Sequence, residues 1–146
     1  MTILLVEDNP DEEELAMLAF KKSGLSDSVV IARDGQEAID YVFAQGSFLG
    51  RNIQEFPYVI FLDINLPKVS GLDVLRKIRS DERTKLIPIV LLTSSDEERD
   101  ILDGYRYGAN SYIHKQFDFM EFMQQIKLLG QYWLELNRIP NDTRKR

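Results

Sequence analysis

The chain has 146 residues, of which 44% are hydrophobic and 29% charged, with a formal net charge of −6. This size and composition are typical of one soluble globular domain with its own core, and the chain is too short for two ordinary domains. The acidic balance argues against binding nucleic acid, no apolar run is long enough to span a membrane, and the lack of cysteine excludes a thiolate metal site. Because the first three residues lack the basic region of a signal peptide, we expect a cytoplasmic protein.

Short apolar runs alternate with helical patterns along the chain. In chain order they predict strand 3–6, helix 10–22, strand 29–32, helix 35–45, strand 58–62, helix 71–79, strand 87–92, helix 97–107, strand 111–114 and helix 119–138. Since strands that alternate with helices form parallel sheets, we expect an α/β fold with a doubly wound, five-stranded parallel sheet. The domain is predicted to cover residues 1–139, and 140–146 to be a flexible polar tail.

Four of the predicted helix starts carry recognisable signals. Pro10 suits the first turn of a helix. Asp34 can cap the second helix, with Glu37 three residues later as in a capping box. Asp96 and Asp118 are the expected caps of the fourth and fifth helices.

Two segments exceed what a minimal five-unit sheet needs. The first is the connection 46–57, which contains Phe48, Leu49 and Phe56. We expect it to pack on its own domain, with a partner contact as the alternative.

The second segment is the lengthened last helix, whose apolar residues are too many for one face. A stripe at three- and four-residue spacing comprises Phe119, Phe122, Ile126, Leu129, Trp133 and Leu136. The residues off this stripe are Met120, Met123, Tyr132 and Leu134. Because large exposed apolar patches usually mark interfaces, we expect a homodimer built on this helix. The competing account is that these side chains fold onto the connection 46–57.

Polar side chains follow four of the predicted strands where each strand ends. They are Glu7 and Asp8, Asp63, Thr93, and Lys115. In an open parallel sheet the functional site lies beyond the carboxyl ends of the strands, so these groups should meet at one edge. Each signal is weak alone, since strand-end acids often cap helices, but together they predict a site for Mg²⁺ and a phosphoryl group.

Each of these groups has a definite chemical use. Asp63 is the candidate nucleophile, because a carboxylate can attack phosphorus to give an acyl phosphate. Glu7, Asp8, Asp63 and the Asn65 carbonyl offer the oxygen ligands that Mg²⁺ prefers. Thr93 offers a hydroxyl to one phosphoryl oxygen. Lys115 offers a cation to another and, before phosphorylation, can pair with Asp63.

The chain resembles the receiver domain of two-component response regulators over roughly residues 2–130. The matching motifs are Leu5-Val6-Glu7-Asp8-Asn9, Leu62-Asp63-Ile64-Asn65-Leu66-Pro67 with Gly71, Leu92-Thr93-Ser94, and Gly108-Ala109-Asn110-Ser111-Tyr112-Ile113-His114-Lys115. The resemblance implies a flavodoxin-like (βα)5 fold and a histidine kinase that phosphorylates Asp63. It also implies Mg²⁺ binding by Glu7 and Asp8, sensing of the acyl phosphate by Thr93 and Lys115, and an aromatic switch at Tyr112. Signalling to a downstream protein would use the face formed by helix 4, strand 5 and helix 5.

Two features of the sequence indicate which subgroup of this family the chain resembles. Gln116 stands where the family usually has a proline after the lysine, and we expect a trans peptide there. The segment Trp133-Leu134-Glu135 near the end of a lengthened last helix resembles the small stand-alone receivers that partner bacterial phytochrome kinases. Members of that group tend to dimerise through the helix 4–strand 5–helix 5 face.

Two other functions remain as alternatives. A Mg²⁺-dependent phosphohydrolase would also use an aspartyl phosphate, but Asn65 stands where such an enzyme commonly carries its acid/base aspartate. The second alternative is an adaptor protein that is not phosphorylated. The presence of all the acidic site residues, Glu7, Asp8 and Asp63, argues against it. The expected protein is therefore a switch and not an enzyme that turns over a separate substrate.

Overall fold

The computed structural model describes residues 1–140 and 142, in which five strands and five α-helices alternate. They are β1 (Ile3–Val6), α1 (Pro10–Lys22), β2 (Val29–Ala32), α2 (Gly35–Val42), β3 (Val59–Leu62), α3 (Gly71–Ser80), β4 (Ile89–Thr93), α4 (Glu98–Arg106), β5 (Ser111–His114) and α5 (Phe119–Gln131). Short 3₁₀ turns precede β2 and follow α2, and a π-helical turn, Tyr132–Leu136, continues α5.

All five strands pair in parallel, in the order β2-β1-β3-β4-β5. This order is the flavodoxin-like one, in which the order of strand addition reverses between β1 and β3 while all the strands stay parallel. The predicted α/β class, the doubly wound parallel sheet and its five strands are therefore confirmed. The reversal point places the ends of β1 and β3 side by side, so residues after these strands face the same crevice.

The sheet is covered on both faces, which explains why its central strands are continuous apolar runs. Alternate residues of β1 and β3, such as Leu4 and Ile60, pack with α2 and α3, whereas Leu5 and Phe61 pack with α1 and α5. Every residue of β1, β3 and β4 is buried. Strands that are buried on both faces lose the polar alternation of one-sided sheets.

The π-helical turn changes which side chains the end of α5 buries. Leu134, predicted to be surplus, is buried with only 2% of its surface exposed, whereas Leu136, predicted to lie on the buried stripe, is 74% exposed. The N–H of Asn137 bonds to the carbonyl of Tyr132, five residues back. A π-helical turn contains one extra residue and therefore rotates the side chains that follow it about the helix axis. The prediction from regular three- and four-residue spacing did not include this rotation.

The connection 46–57 packs on its own domain, as expected. Phe48 and Phe56 lie against the core, although Leu49 is exposed. The guanidinium of Arg51 donates to the carbonyls of Tyr41 and Val42 at 2.7 and 2.9 Å. These bonds satisfy the last turn of α2, which ends at Val42 and not at the predicted residue 45.

Two other boundaries differ from the predicted ones for local reasons. The structure begins β4 at Ile89, two residues late, because Pro88 has no N–H for the ladder. The expected cap Asp96 does not cap α4. That helix starts at Glu98 after Glu97, and the Ser95 hydroxyl bonds to the side chain of Asp100 instead.

Most of the predicted polar tail lies outside the described residues, namely 141 and 143–146. Ile139, just before the tail, is buried in the core, and Asp142, within the tail, accepts a hydrogen bond from Tyr58. Among the described residues, no helix is long and apolar enough to cross a membrane.

Candidate functional site

Four of the predicted site residues are buried where the strands end. Glu7 follows β1, Asp63 follows β3, Thr93 closes β4 and Lys115 follows β5. None of the four is more than 6% exposed. The parallel register brings these strand ends to one edge, as the strand-end pattern predicted.

The ammonium of Lys115 lies at the centre of this group. Its Nζ donates to Glu7 Oε1 at 2.6 Å, to Asp63 Oδ2 at 3.0 Å and to Glu12 Oε1 at 3.0 Å. The predicted pairing of Lys115 with Asp63 is therefore confirmed. Three carboxylates share one ammonium, so the cluster retains an excess of negative charge.

This excess shows in the acid–base behaviour of the cluster. Burial raises the pKa of Glu7, and the nearby charge of Asp63 raises it further, so that the attraction of Lys115 does not restore its usual value. Burial works to lower the pKa of Lys115, but the charges of Asp63 and Glu7 outweigh it and raise the pKa. Lys115 is therefore firmly protonated, and the charged form of Glu7 is the one that the site disfavours.

The carboxylate of Asp63 is aimed by the loop that follows it. Its Oδ1 accepts from the N–H of Asn65 at 3.4 Å. Gly71 begins α3 directly against this backbone, because a Cβ at that position would lie 1.9 Å from the carbonyl oxygen of Asp63. The glycine thus lets α3 start beside the acid and places the acid at the floor of the crevice.

The same loop is supported from α2. Lys68, whose φ is +68°, lies with its Nζ 3.2 Å from Asp34 Oδ2, the cap of α2. Burial works to raise the pKa of Asp34, but hydrogen bonds from the Glu37 N–H and from Lys68 lower it overall. A Cβ on Gly35 would lie 1.9 Å from the carbonyl of Val69, so the loop rests directly on the first residue of α2.

Thr93 and Tyr112 occupy the side of the site that leads to α4. The Thr93 hydroxyl accepts from the N–H of Ser95 at 3.3 Å, and the Tyr112 hydroxyl donates to the Ser95 carbonyl at 2.7 Å. Burial raises the pKa of Tyr112. Both side chains therefore bond to the backbone of the same residue, Ser95, in the short segment between β4 and α4.

The acids that cluster are not quite those expected for the metal. Oxygens of Glu7, Glu12 and Asp63 lie within 4.8 Å of one another, whereas the side chain of Asp8 is exposed at the mouth of the crevice. Glu12 was not among the predicted site residues, because an acid in the first turn of a helix ordinarily faces solvent and favours the helix dipole. Because the first turn of α1 starts at the edge where β1 ends, its third residue reaches the cluster. Such an excess of carboxylate oxygens suits a hard divalent cation like Mg²⁺.

The fold and this crevice define an α/β domain with an acidic site at the switch point of its sheet. The model of the response regulator receiver domain family matches residues 3–127. The chain belongs to the response regulator receiver domain family, and the predicted class is confirmed.

Proteins similar to this chain match it along nearly all of its length. FilR2 of Methanothrix harundinacea, named a probable methanogenesis regulatory protein, is 38% identical over 94% of this chain and 86% of its own length. The phosphorylated cyanobacterial phytochrome response regulator RcpA is 36% identical, with a TM-score of 0.88 over 96% of this chain and 98% of its own.

A third relative was crystallised with a metal. Rcp1 of Synechocystis is a response regulator 33% identical over 94% of this chain and 92% of its own length. The structure of its Mn²⁺-bound form has a TM-score of 0.86 over 95% of this chain and 98% of that one. The receiver fold is thus shared by this chain and by a relative seen with a divalent metal.

Proposed function

We propose that this protein is a stand-alone response regulator that accepts a phosphoryl group from a histidine kinase onto Asp63. The observation that carries the proposal is the position of the Asp63 carboxylate. It is buried at the switch point of the sheet, 3.0 Å from Lys115 Nζ, with Glu7 beside it. A nucleophile that is held in place by a cation and flanked by metal ligands is suited to phosphoryl transfer.

The transfer step uses one carboxylate oxygen of Asp63. That oxygen attacks the phosphorus of a phosphohistidine, a P–O bond forms, and the P–N bond breaks with its electron pair leaving on the imidazole nitrogen. The product on Asp63 is an acyl phosphate. Lys115 holds the carboxylate before transfer and is free afterwards to donate to a phosphoryl oxygen, because its three partners are all replaceable acceptors.

We propose that Mg²⁺ is the cation of this site. Glu7, Asp8, Asp63 and the Asn65 carbonyl would hold it, and when bound it neutralises charge that develops on the phosphoryl oxygens. The acidic excess around Lys115 and the Mn²⁺-bound form of Rcp1 support a divalent metal here. Glu12 is not among the proposed ligands; its carboxylate bonds to Lys115 at 3.0 Å.

The response to phosphorylation would pass through Thr93 and Tyr112. The Thr93 hydroxyl would exchange its bond with the Ser95 N–H for a phosphoryl oxygen, and the segment between β4 and α4 would follow. Tyr112 is bonded to the same segment, so its ring is the switch element that would repack. The affinity of the α4–β5–α5 face for a downstream protein then changes as a population shift.

The proposed input is a phytochrome-type histidine kinase. Similarity to RcpA over almost its whole length supports this assignment, as does the lengthened last helix. The name of FilR2 points to a different regulatory pathway, so the input is the part of the proposal that most needs a direct test. A cytoplasmic location is proposed with it, because that is where such kinases phosphorylate themselves.

We also propose that the protein forms a homodimer through α4, β5 and α5. Exposed apolar side chains on this face are Leu102, Tyr105, Leu128, Tyr132 and Leu136. Trp133, half-buried, stacks obliquely on Tyr132 with ring centroids 4.9 Å apart. A two-fold pairing would cover this patch twice and close on itself.

The protein is proposed to be a switch and not a turnover enzyme. A phosphohydrolase would need an acid/base group beside Asp63, and Asn65 cannot transfer a proton in that role. The deciding experiment mixes the purified protein with phytochrome-type and unrelated histidine kinases, each labelled on its histidine. Rapid transfer to Asp63 from the phytochrome-type kinase alone supports the whole proposal, whereas absence of transfer from any kinase or small phosphodonor would refute the switch.

A further inference from the structure

The turn that carries Lys115 is fastened to α5 by one side chain, Gln125. Its Nε2 donates to the carbonyl oxygen of His114 at 2.8 Å, and its Oε1 accepts from the N–H of Gln116 at 3.1 Å. A single amide therefore bridges the backbone on either side of Lys115. A carbonyl only accepts and an N–H only donates, so the two partners also define which end of the amide carries the nitrogen.

A third bond completes the attachment from the opposite side. The N–H of Lys115 itself donates to the carbonyl of Thr93 at 2.8 Å. The backbone of the turn is thus held by β4 on one side and by α5 on the other. The ammonium is reached from this backbone through a stem of only four carbons, so the backbone position limits which acceptors the ammonium can contact.

The identity of residue 116 allows this bridge to form. Gln116 has an N–H that needs an acceptor, and its φ is not restricted by a ring. Before Lys115, the His114 ring is hydrogen-bonded to the Ser94 carbonyl at 3.0 Å, but after it the side chains of Gln116 and Phe117 are both exposed. The Lys115–Gln116 peptide is trans, as expected. Gln125 therefore supplies, from α5, the side-chain restraint on the part of the turn that follows Lys115.

We propose that Gln125 is a positioning residue for Lys115, acting through the backbone of residues 114–116. Gln125 contacts no reacting group. It would affect phosphoryl transfer only through the position of the Lys115 ammonium. The same bridge joins α5, part of the proposed signalling face, to the phosphorylation site. The consequence for transfer rests on the proposed function, but the bridge and its effect on Lys115 do not.

The first test measures the position of Lys115 without any phosphorylation. Gln125→Met keeps the length and apolar stem of the side chain but removes both hydrogen bonds. By NMR, amide exchange at Gln116 should accelerate about tenfold or more and the Lys115 ammonium signal should broaden. Gln124→Met, at the exposed neighbouring position on α5, is the matched control and should change neither signal.

The second test separates positioning from general damage. With a small phosphodonor, Gln125→Met should slow labelling of Asp63 by about tenfold, while the Mg²⁺ concentration for half-maximal labelling stays the same or falls. A loosened Lys115 competes less for the carboxylates, so metal binding should not weaken. Gln125→Glu keeps only the acceptor, places a carboxylate against the His114 carbonyl, and should also be slow.

Each outcome decides the question. Wild-type labelling rates in both variants, or unchanged Gln116 exchange, would overturn the proposal. If the labelling rate, the Mg²⁺ affinity and the unfolding midpoint all fell together, Gln125 would have only a structural role. That result would overturn the proposal as well. If the wild-type protein is not labelled at all, the proposed function fails, while the NMR comparison still decides whether Gln125 positions Lys115.

Discussion

Glu12 and Lys115 are separated by 103 positions in the chain, yet Glu12 Oε1 lies 3.0 Å from Lys115 Nζ. With Glu7 and Asp63, Glu12 gives the ammonium one acceptor for each of its three protons. Lys115 can therefore move to a phosphoryl oxygen only by giving up one of these bonds. The side chain of Glu12 is more exposed than that of Glu7 or Asp63, and so its bond is the easiest to exchange.

Asp63→Asn should abolish phosphorylation, because the amide that replaces the carboxylate is not a nucleophile for phosphorus. The measurement is the mass of the protein after treatment with a small phosphodonor and Mg²⁺, with hydroxylamine used to remove an acyl phosphate. Asp73→Asn, at an exposed site on α3, is the control and should be labelled normally. Undiminished, hydroxylamine-sensitive labelling of Asp63→Asn would show that another residue is the acceptor.

Asp8→Asn and Glu12→Gln should affect Mg²⁺ dependence differently. Loss of a proposed ligand should raise the Mg²⁺ concentration for half-maximal labelling by about tenfold or more. Gln in place of Glu12 still accepts from Lys115, so we expect less than about a twofold change there. A chelator should stop labelling of the wild-type protein. The reverse ranking of the two variants would make Glu12 the ligand and exclude Asp8.

Glu7→Gln should make the folded protein more stable at neutral pH. The pKa of Glu7 is raised by folding, so its charged form is disfavoured in the folded state, and the stability that this group contributes is lost as pH rises. Replacing the charge should therefore raise the free energy of unfolding at pH 7 by up to about 1 kcal/mol. The gain should vanish as pH falls below 4.5, the ordinary pKa of the group. Urea unfolding at a series of pH values measures it, and a loss of stability at pH 7 would contradict the charge argument.

Gly71→Ala should disturb both stability and labelling, because its Cβ would lie 1.9 Å from the carbonyl of Asp63. Relief requires α3 or the Asp63 backbone to move, at a cost of about 1–3 kcal/mol. Gly24→Ala is the control: nothing lies within 4 Å of its Cβ, and only its φ of +75° is unfavourable. We expect Gly24→Ala to be labelled at the wild-type rate. Equal labelling by both variants would mean that Asp63 tolerates the shift.

The homodimer should depend on the exposed side chains beyond the middle of α5. Tyr132→Ala and Leu136→Ala remove exposed apolar surface, so they should weaken self-association while leaving the unfolding midpoint nearly unchanged. Trp133→Ala should weaken it too, with some loss of stability because that ring is half-buried. Leu49→Ala, 82% exposed on the 46–57 connection, is the control. Sedimentation over a concentration series, with and without phosphodonor, is the measurement. Monomers in both states at high concentration would exclude the dimer.

The sheet could be predicted because its signals are local. Each strand is an apolar run that ends in a polar residue, and Asp118 and Asp34 cap helices as expected. The end of α2 could not be predicted in the same way, because it is set by Arg51, nine residues further along the chain. Leu134 and Leu136 exchanged roles for a related reason, since a π-helical turn leaves little trace in the spacing of apolar residues.

The site was predictable where strand order alone brings residues together. Glu7, Asp63, Thr93 and Lys115 each end a strand, and parallel pairing does the rest. Glu12 and Gln125 were missed because their roles depend on side chains that reach from helices. A glutamate in an acidic first turn and a glutamine on an amphipathic helix look like ordinary solvent-facing residues. Only the three-dimensional arrangement distinguishes them from their neighbours.

The π-helical turn at Tyr132–Leu136 would also set the phase of a helix grafted directly onto Leu136 in place of the extended segment that begins at Asn137. An ideal α-helix advances by about 100° per residue, so one extra residue in a turn rotates all that follows by about that angle. A helical reporter fused after Leu136 would therefore point away from the direction that a continuous α5 implies. Fusions intended to read out the state of Asp63 should vary linker length one residue at a time through a full turn.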